Sequence, residues 1–163
     1  MATNRKISKI IFGDKRGRVV LNLIDYKKEK PMDVSSSKWL FTHEGFVKIV
    51  SMSPMGNKAC SFGYQDQLLV VYDLHTLTIS SKTQLDLVLS SYCFDFSANK
   101  TLMSFESSNE LIVWDHSAPV HRRKTNVKGH TDFIYISRIA DDGVVGLSCD
   151  LSMHMIIWNL TNY

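Results

Sequence analysis

The chain has 163 residues, of which 44% are hydrophobic and 21% charged, and its formal net charge is +3. This is the size and composition of one globular domain, and the sequence has no run of about 18 apolar residues that would predict a transmembrane helix. The basic start lacks the apolar core of a signal peptide, and the three cysteines lie in apolar stretches typical of reduced, buried thiols, so we expect an intracellular protein, cytoplasmic or nuclear, without membrane contact.

The first 30 residues are strongly basic, with nine Lys or Arg against three Asp or Glu. Such an end is typical either of a surface for nucleic acid or an acidic partner, or of a strand edge protected from aggregation by lysines. Few aromatic residues interleave with these cations, although single-stranded nucleic acids need such rings for base stacking. We therefore favour the strand edge.

Apolar runs of four to seven residues follow one another along the chain and are separated by turn residues such as Gly, Asn, Asp and Ser. They lack the apolar spacing of three and four that indicates a helix, so they predict strands. The runs are Ile7–Phe12, Val19–Ile24, Val47–Met52, Leu68–Tyr72, Tyr92–Phe96, Leu111–Trp114, Phe133–Ile139, Val144–Leu147 and Met155–Leu160. The predicted fold class is all-β.

One phrase, an apolar run closed by an aromatic residue and then Asp or Asn, returns through the chain. Its copies are Leu68–Leu74, Leu111–Asp115 and Met155–Leu160, with a weaker copy at Gly17–Leu23. The aromatic residues Tyr72, Trp114 and Trp158 are separated by 42 and 44 residues. A period in the low forties with several strands in each period predicts small antiparallel sheets stacked around an axis.

These copies resemble the repeats of the WD-repeat β-propeller family. Asp73 and Asp115 follow their aromatic residues as in the Trp-Asp pair of that family, and Asn159 is a near match. The pairs Gly129-His130 and Thr42-His43 stand where the family has its Gly-His pair. The resemblance covers nearly the whole chain and implies a propeller segment of four-stranded antiparallel blades that does not close into a ring.

Read as a propeller, the chain is a single segment, 1–163, with a partial blade at 6–41, complete blades at 42–85 and 86–128, and a partial blade at 129–163. The first blade is expected to lack its first strand and the last blade its fourth. Because a propeller usually needs about seven blades, we expect either a fragment of a longer propeller or a half-propeller completed by another chain, with self-association as one outcome.

A buried His bonded to a turn Asp and backed by an aromatic residue would satisfy the polar groups at a corner of a blade. Blade two has His43, Asp66 and Tyr72 for such a structural network. Blade four has His130 and Trp158, and its acid is left open because Ser152 occupies the expected position while Asp150 comes two residues earlier. Trp114 marks the third strand of blade three, which has no matching His.

The residues for catalysis are poorly placed, because Asp150, Ser152 and His154 share one predicted hairpin, and His116 and His121 have no third metal ligand beside them. The sequence therefore predicts no enzyme and no cofactor or metal.

The leading interpretation is a non-catalytic protein-protein interaction scaffold, part of a larger propeller or complex. Its candidate partner-binding residues are Phe46, Tyr64 and Phe133, although the phenylalanines could instead cover the end of their own blade. The alternative is an RNA-associated, non-catalytic subunit, such as one in a tRNA-modification complex. It would use the basic start and the 121–128 surface, with Arg122, Arg123 and Lys124.

Overall fold

A computed structural model describes residues 7–25, 37–85, 89–97, 100–105, 108–118 and 124–163. These residues form four antiparallel sheets. Blade one contains β1 (Ile7–Gly13), β2 (Arg18–Asp25) and β3 (Ser37–Thr42), and blade two contains β4 (Val47–Met52), β5 (Lys58–Gly63), β6 (Leu68–Asp73) and β7 (Thr78–Gln84). Blade three contains β8 (Leu89–Phe96), β9 (Lys100–Phe105), β10 (Glu110–Asp115) and β11 (Lys124–Lys128), and blade four contains β12 (Ile134–Ile139), β13 (Val145–Asp150) and β14 (Met155–Asn159).

The expected fold class is confirmed, because strands are the only regular elements among the described residues and the sheets have three or four strands without a closed ring. Neighbouring strands in each sheet are consecutive in the chain, so each blade is a simple antiparallel meander. In the described part of the chain, no helix is long and apolar enough to cross a membrane.

The hydrophobic core lies between blades rather than within one. Side chains alternate along a strand, so a central strand can pack on both neighbours. In β6, Val70 and Tyr72 pack against blade one, while Leu69 and Val71 pack against blade three. In the same way β10 sends Ile112 towards blade two, and its other face joins the core shared with blade four.

Two lysines also tie neighbouring blades together. The Lys9 ammonium in blade one donates to the carbonyl oxygens of Gly56 at 2.8 Å and Leu74 at 3.4 Å, both in blade two. The buried Lys100 in blade three donates to the carbonyl of Leu160 after blade four. Part of the basic start of the chain is thus engaged within the fold.

Candidate functional site

A chain of hydrogen bonds fills the corner of blade two. His43 Nδ1 lies 2.9 Å from Asp66 Oδ2, and His43 Nε2 lies 2.7 Å from Ser61 Oγ. The Ser61 oxygen is in turn 2.6 Å from the Tyr72 hydroxyl. The structure therefore brings together His43, Asp66 and Tyr72, and it adds Ser61 from the middle of β5.

Blade four contains the same arrangement with a different source for its carboxylate. His130 Nδ1 lies 2.9 Å from Asp150 Oδ2, His130 Nε2 lies 2.6 Å from Ser148 Oγ, and the Trp158 indole donates to Ser148 Oγ at 2.7 Å. Asp150 is thus the acid of this network. Ser152, the alternative that the sequence left open, donates instead to Asp132 at 2.8 Å.

Sheet register explains why the acidic residue occupies different positions in the two blades. Gly63 pairs with Val47 in blade two, and Asp150 pairs with Ile134 at the equivalent place in blade four. A Cβ atom on Gly63 would lie 2.1 Å from Asp66 Oδ1, so glycine leaves room for the carboxylate that arrives from the turn. Blade four puts the carboxylate on the strand residue itself.

The direction of each proton follows from the chemistry of the groups. Carboxylates only accept hydrogen bonds, so Nδ1 of each histidine donates and Nε2 accepts from a serine hydroxyl. The serine oxygen then accepts from the Tyr72 hydroxyl in blade two or from the Trp158 N–H in blade four. Both networks are complete with a neutral imidazole.

The ionisation of these groups agrees with that arrangement. Burial lowers the pKa of His43 below its ordinary value of 6.5, and this effect exceeds the opposite effect of the Asp66 carboxylate. Burial opposes charge on Asp150, but hydrogen bonds from His130 and from the His154 backbone N–H outweigh it and hold the pKa of Asp150 below 3.8. Burial also raises the pKa of the Tyr72 hydroxyl.

The two networks have the Asp, His and Ser of a hydrolase triad, but their geometry is structural. Ser61 and Ser148 are both 0% exposed, and each serine oxygen already receives a hydrogen bond from an aromatic residue. A substrate carbonyl therefore cannot approach the hydroxyl. Among the described residues there is also no group of three His, Cys, Asp or Glu side chains that could hold a metal ion.

Blade three is supported differently. The indole N–H of Trp114 has no hydrogen-bond partner among the described residues, so this tryptophan packs without joining a polar network. His116 Nε2 lies 2.7 Å from Thr101 Oγ1, and the His116 ring contacts Phe96 edge to face at 5.7 Å. His116 thus belongs to the packing of blade three, while His121 falls outside the described residues.

The residue after each aromatic position closes a turn. Asp73, Asp115 and Asn159 each accept a hydrogen bond from the backbone N–H two residues later, at 2.8, 2.8 and 3.1 Å. An amide oxygen accepts as a carboxylate oxygen does, so Asn159 fills the same role as the two aspartates.

Two apolar pairs stand exposed at the end of the blades that the histidine networks support. Phe46 and Tyr64 stack with ring centroids 4.7 Å apart, and they are 38% and 42% exposed. Phe133 and Leu151 are 46% and 59% exposed. The pairs are equivalent, because the Tyr64 N–H donates to the Phe46 carbonyl at 3.1 Å and the Leu151 N–H donates to the Phe133 carbonyl at 3.0 Å.

Sequence reasoning selected Phe46, Tyr64 and Phe133 but missed Leu151, which occupies the place of Tyr64. It also missed Ser61 and Ser148, each of which lies 18 residues after its histidine. That shared spacing is the signal that could have found both serines.

The structure describes only part of the basic surface that the sequence suggested for RNA binding. Arg122 and Arg123 lie outside the described residues, and Lys124 begins β11 but its side chain is not described. Within the described part of this surface, Lys128 forms an exposed ion pair with Glu110 at 2.9 Å.

Comparisons with known proteins bear on the fold. No family model and no curated protein matches the chain. Among solved structures, it is similar to the crystal structure of the Myceliophteria thermophila Cps50 (Swd1) β-propeller domain, with a TM-score of 0.69 and 18% sequence identity. The match covers 94% of this chain and 50% of that one, so the chain spans about half of that structure's length. The likeness confirms the expected β-propeller fold.

Proposed function

We propose that this protein is a non-catalytic scaffold that binds protein partners through the exposed ends of blades two and four. The observation that carries this proposal is the equivalence of the pairs Phe46–Tyr64 and Phe133–Leu151, which place two apolar contacts on separate blades. Aromatic anchors on loops positioned by a rigid scaffold are typical of protein interfaces.

The networks behind these pairs support the same role. His43 precedes Phe46 by three residues and Asp66 lies in the hairpin that carries Tyr64, so the polar network holds the two loops that present this pair. His130 and Asp150 do the same for Phe133 and Leu151. Preorganised loops lose little conformational freedom when a partner binds, and this favours affinity.

The scaffold is proposed to act inside the cell, in the cytoplasm or nucleus, as part of a larger propeller or a multisubunit complex. Among the cysteines whose side chains the structure describes, Cys60 and Cys149 are free and buried, and this supports a reducing location. The likeness to half of a longer propeller domain supports a role within a larger assembly.

Affinity capture from cells followed by quantitative mass spectrometry tests the proposal. The double variant Phe46→Ser and Phe133→Ser should lose specific protein partners, because each substitution removes an aromatic anchor. Both replaced side chains are exposed, so the buried core is unchanged. Its matched control is Met55→Ser with Ile79→Ser, which removes exposed apolar side chains from the β4–β5 turn and from β7. The control should keep the partners.

Equal recovery of every partner by the double variant and the wild type would contradict the proposal. The RNA-associated alternative stays a prediction and has its own signature. Binding of RNA that weakens steeply with salt and depends on Arg122 and Arg123 would favour it.

A further inference from the structure

A cavity of about 640 Å³ lies between the first strands of blades two, three and four. Its wall is mostly apolar and includes Ile49 and Val50 from β4, Phe94 from β8, and Tyr135 and Ile136 from β12. We call this space the inner cavity. Its volume is in the range of sites that bind small ligands or a few side chains of a partner.

Two cations also line the inner cavity, Lys48 from β4 and Arg138 from β12. None of the described residues that line it carries a carboxylate. Asp95, next to Phe94, is not among these lining residues, and its carboxylate accepts the backbone N–H of Ile139 at 2.8 Å. The described wall of the inner cavity is therefore positively charged.

Irregular pairing in the first strands places side chains at this wall. The register of β4 shifts between Val47 and Ile49, so Lys48 is the extra residue of a β-bulge. The register of β12 shifts in the same way at Tyr135. Because a β-bulge re-aims the extra side chain, equivalent bulges on two blades direct Lys48 and Tyr135 to the inner cavity.

The two cations suit an acidic ligand. Arg138 uses Nη1 to donate to the Ser137 carbonyl at 2.7 Å, and a guanidinium has four further N–H donors that can bind a carboxylate. The Lys48 ammonium lies 5.3 Å from the centre of the Tyr64 ring. Lys48 thus connects the inner cavity with the exposed Phe46–Tyr64 pair.

From this arrangement we infer that the inner cavity binds an acidic segment of a protein partner, with Asp or Glu carboxylates received by Arg138 and Lys48. The inference deepens the proposed function, on which it rests, by giving the chemistry of the partner. The apolar part of the wall fits the methylene groups of such a segment. Two separate cations at one cavity differ from the extended basic groove that follows a nucleic-acid backbone.

Fluorescence anisotropy with labelled octaglutamate tests the inference on the full chain, with labelled octalysine as the charge-reversed probe. The double variant Lys48→Met and Arg138→Met should weaken octaglutamate binding by about tenfold or more, because each substitution removes a charged hydrogen-bond donor. The control double variant Lys38→Met and Lys128→Met removes the same charge from the edge strands β3 and β11. It should bind as the wild type does.

Three results would overturn the inference. The first is no octaglutamate binding by the wild type, and the second is an equal loss of octaglutamate binding in both double variants. The third is an RNA oligonucleotide that displaces octaglutamate and that the Lys48/Arg138 variant no longer binds. Circular dichroism melts of each variant separate lost binding from lost folding. The proposed function fails separately, in the capture experiment with Phe46→Ser and Phe133→Ser. If the capture of partners depends on Phe46 and Phe133 but the wild type does not bind octaglutamate, only this inference is refuted and the proposed function stands.

Discussion

At the scale of single residues, the histidine networks carry polar groups that burial makes costly to leave unpaired. His43 is 2% exposed and bonds both Asp66 and Ser61. His43→Ala should therefore lower the free energy of unfolding by about 1–3 kcal/mol, since it leaves buried partners without a hydrogen bond. Urea unfolding followed by circular dichroism measures this change.

The matched control for His43→Ala is His75→Ala, at an exposed position in the β6–β7 turn. This substitution should change the unfolding free energy by less than about 0.5 kcal/mol, as is usual for surface residues. Equal unfolding midpoints for the two variants would remove the case for a supporting network in blade two.

The same residues predict how stability changes with pH. The pKa of His43 is lower in the folded protein than its ordinary value of 6.5, so the unfolded chain binds a proton more tightly. Stability contributed by neutral His43 is therefore full above about pH 6.5 and falls as the pH drops from there through the folded pKa. The contribution of Asp150, whose pKa lies below 3.8, is present above that value and is lost as the pH falls through the folded pKa.

Urea midpoints measured from about pH 8 down to about pH 3 should show both effects. The decrease that begins near pH 6.5 should shrink in His43→Ala, whereas the acid decrease should remain because blade four keeps Asp150. A first decrease of unchanged size in His43→Ala would show that other groups cause it.

The third member of each network also differs chemically. The Tyr72 hydroxyl can accept as well as donate, so in blade two the Ser61 hydroxyl can reverse its hydrogen bond when His43 Nε2 becomes a donor. The Trp158 indole can only donate, so in blade four the Ser148 hydroxyl keeps one direction and donates to His130 Nε2.

At the scale of strands, the sequence predicts a strand with one or two buried faces more readily than an exposed strand at the outer edge of a blade. The apolar runs anticipate β6 and β10, whose inner positions are buried throughout. They do not include β7, whose residues Thr78–Gln84 are mostly exposed and polar and pair with β6 through backbone hydrogen bonds. Such a strand forms because its neighbour offers a free edge, and its own side chains carry little signal of it.

Turn chemistry limits prediction in a similar way. The position of Asp66 in its hairpin made it recognisable, but Asp150 belongs to a hairpin in which the acid stands on the strand end. The choice between Asp150 and Ser152 depends on register, and one residue of register cannot be read from spacing alone. Lys48 and Tyr135 of the inner cavity were missed for the same reason, since β-bulges put them at its wall.

At the scale of the whole molecule, each blade has two faces that can pack against a neighbouring blade. Blades two and three have a neighbour on both faces, whereas blades one and four have a neighbour on one face only. Cores fill the spaces between blades one and two, two and three, and three and four. On the other side of blade four, Val145, Met155 and Ile157 are 43%, 65% and 72% exposed. On blade one, Phe12 and Trp39 are 43% and 66% exposed.

Exposed apolar sheet faces of this kind favour association. We expect the isolated protein to self-associate, with the face of blade four in one copy against the exposed face of blade one in another, because a propeller blade normally packs on two neighbours. Light scattering at several concentrations should show a mass that rises with concentration. Met155→Lys with Ile157→Lys should shift the protein towards the monomer, since two buried charges would disrupt an apolar interface, while Met55→Lys, at a residue that is 78% exposed on the β4–β5 turn, should not. A wild type that stays monomeric at every concentration, or association that the double variant leaves unchanged, would mean that these faces do not meet in a second copy.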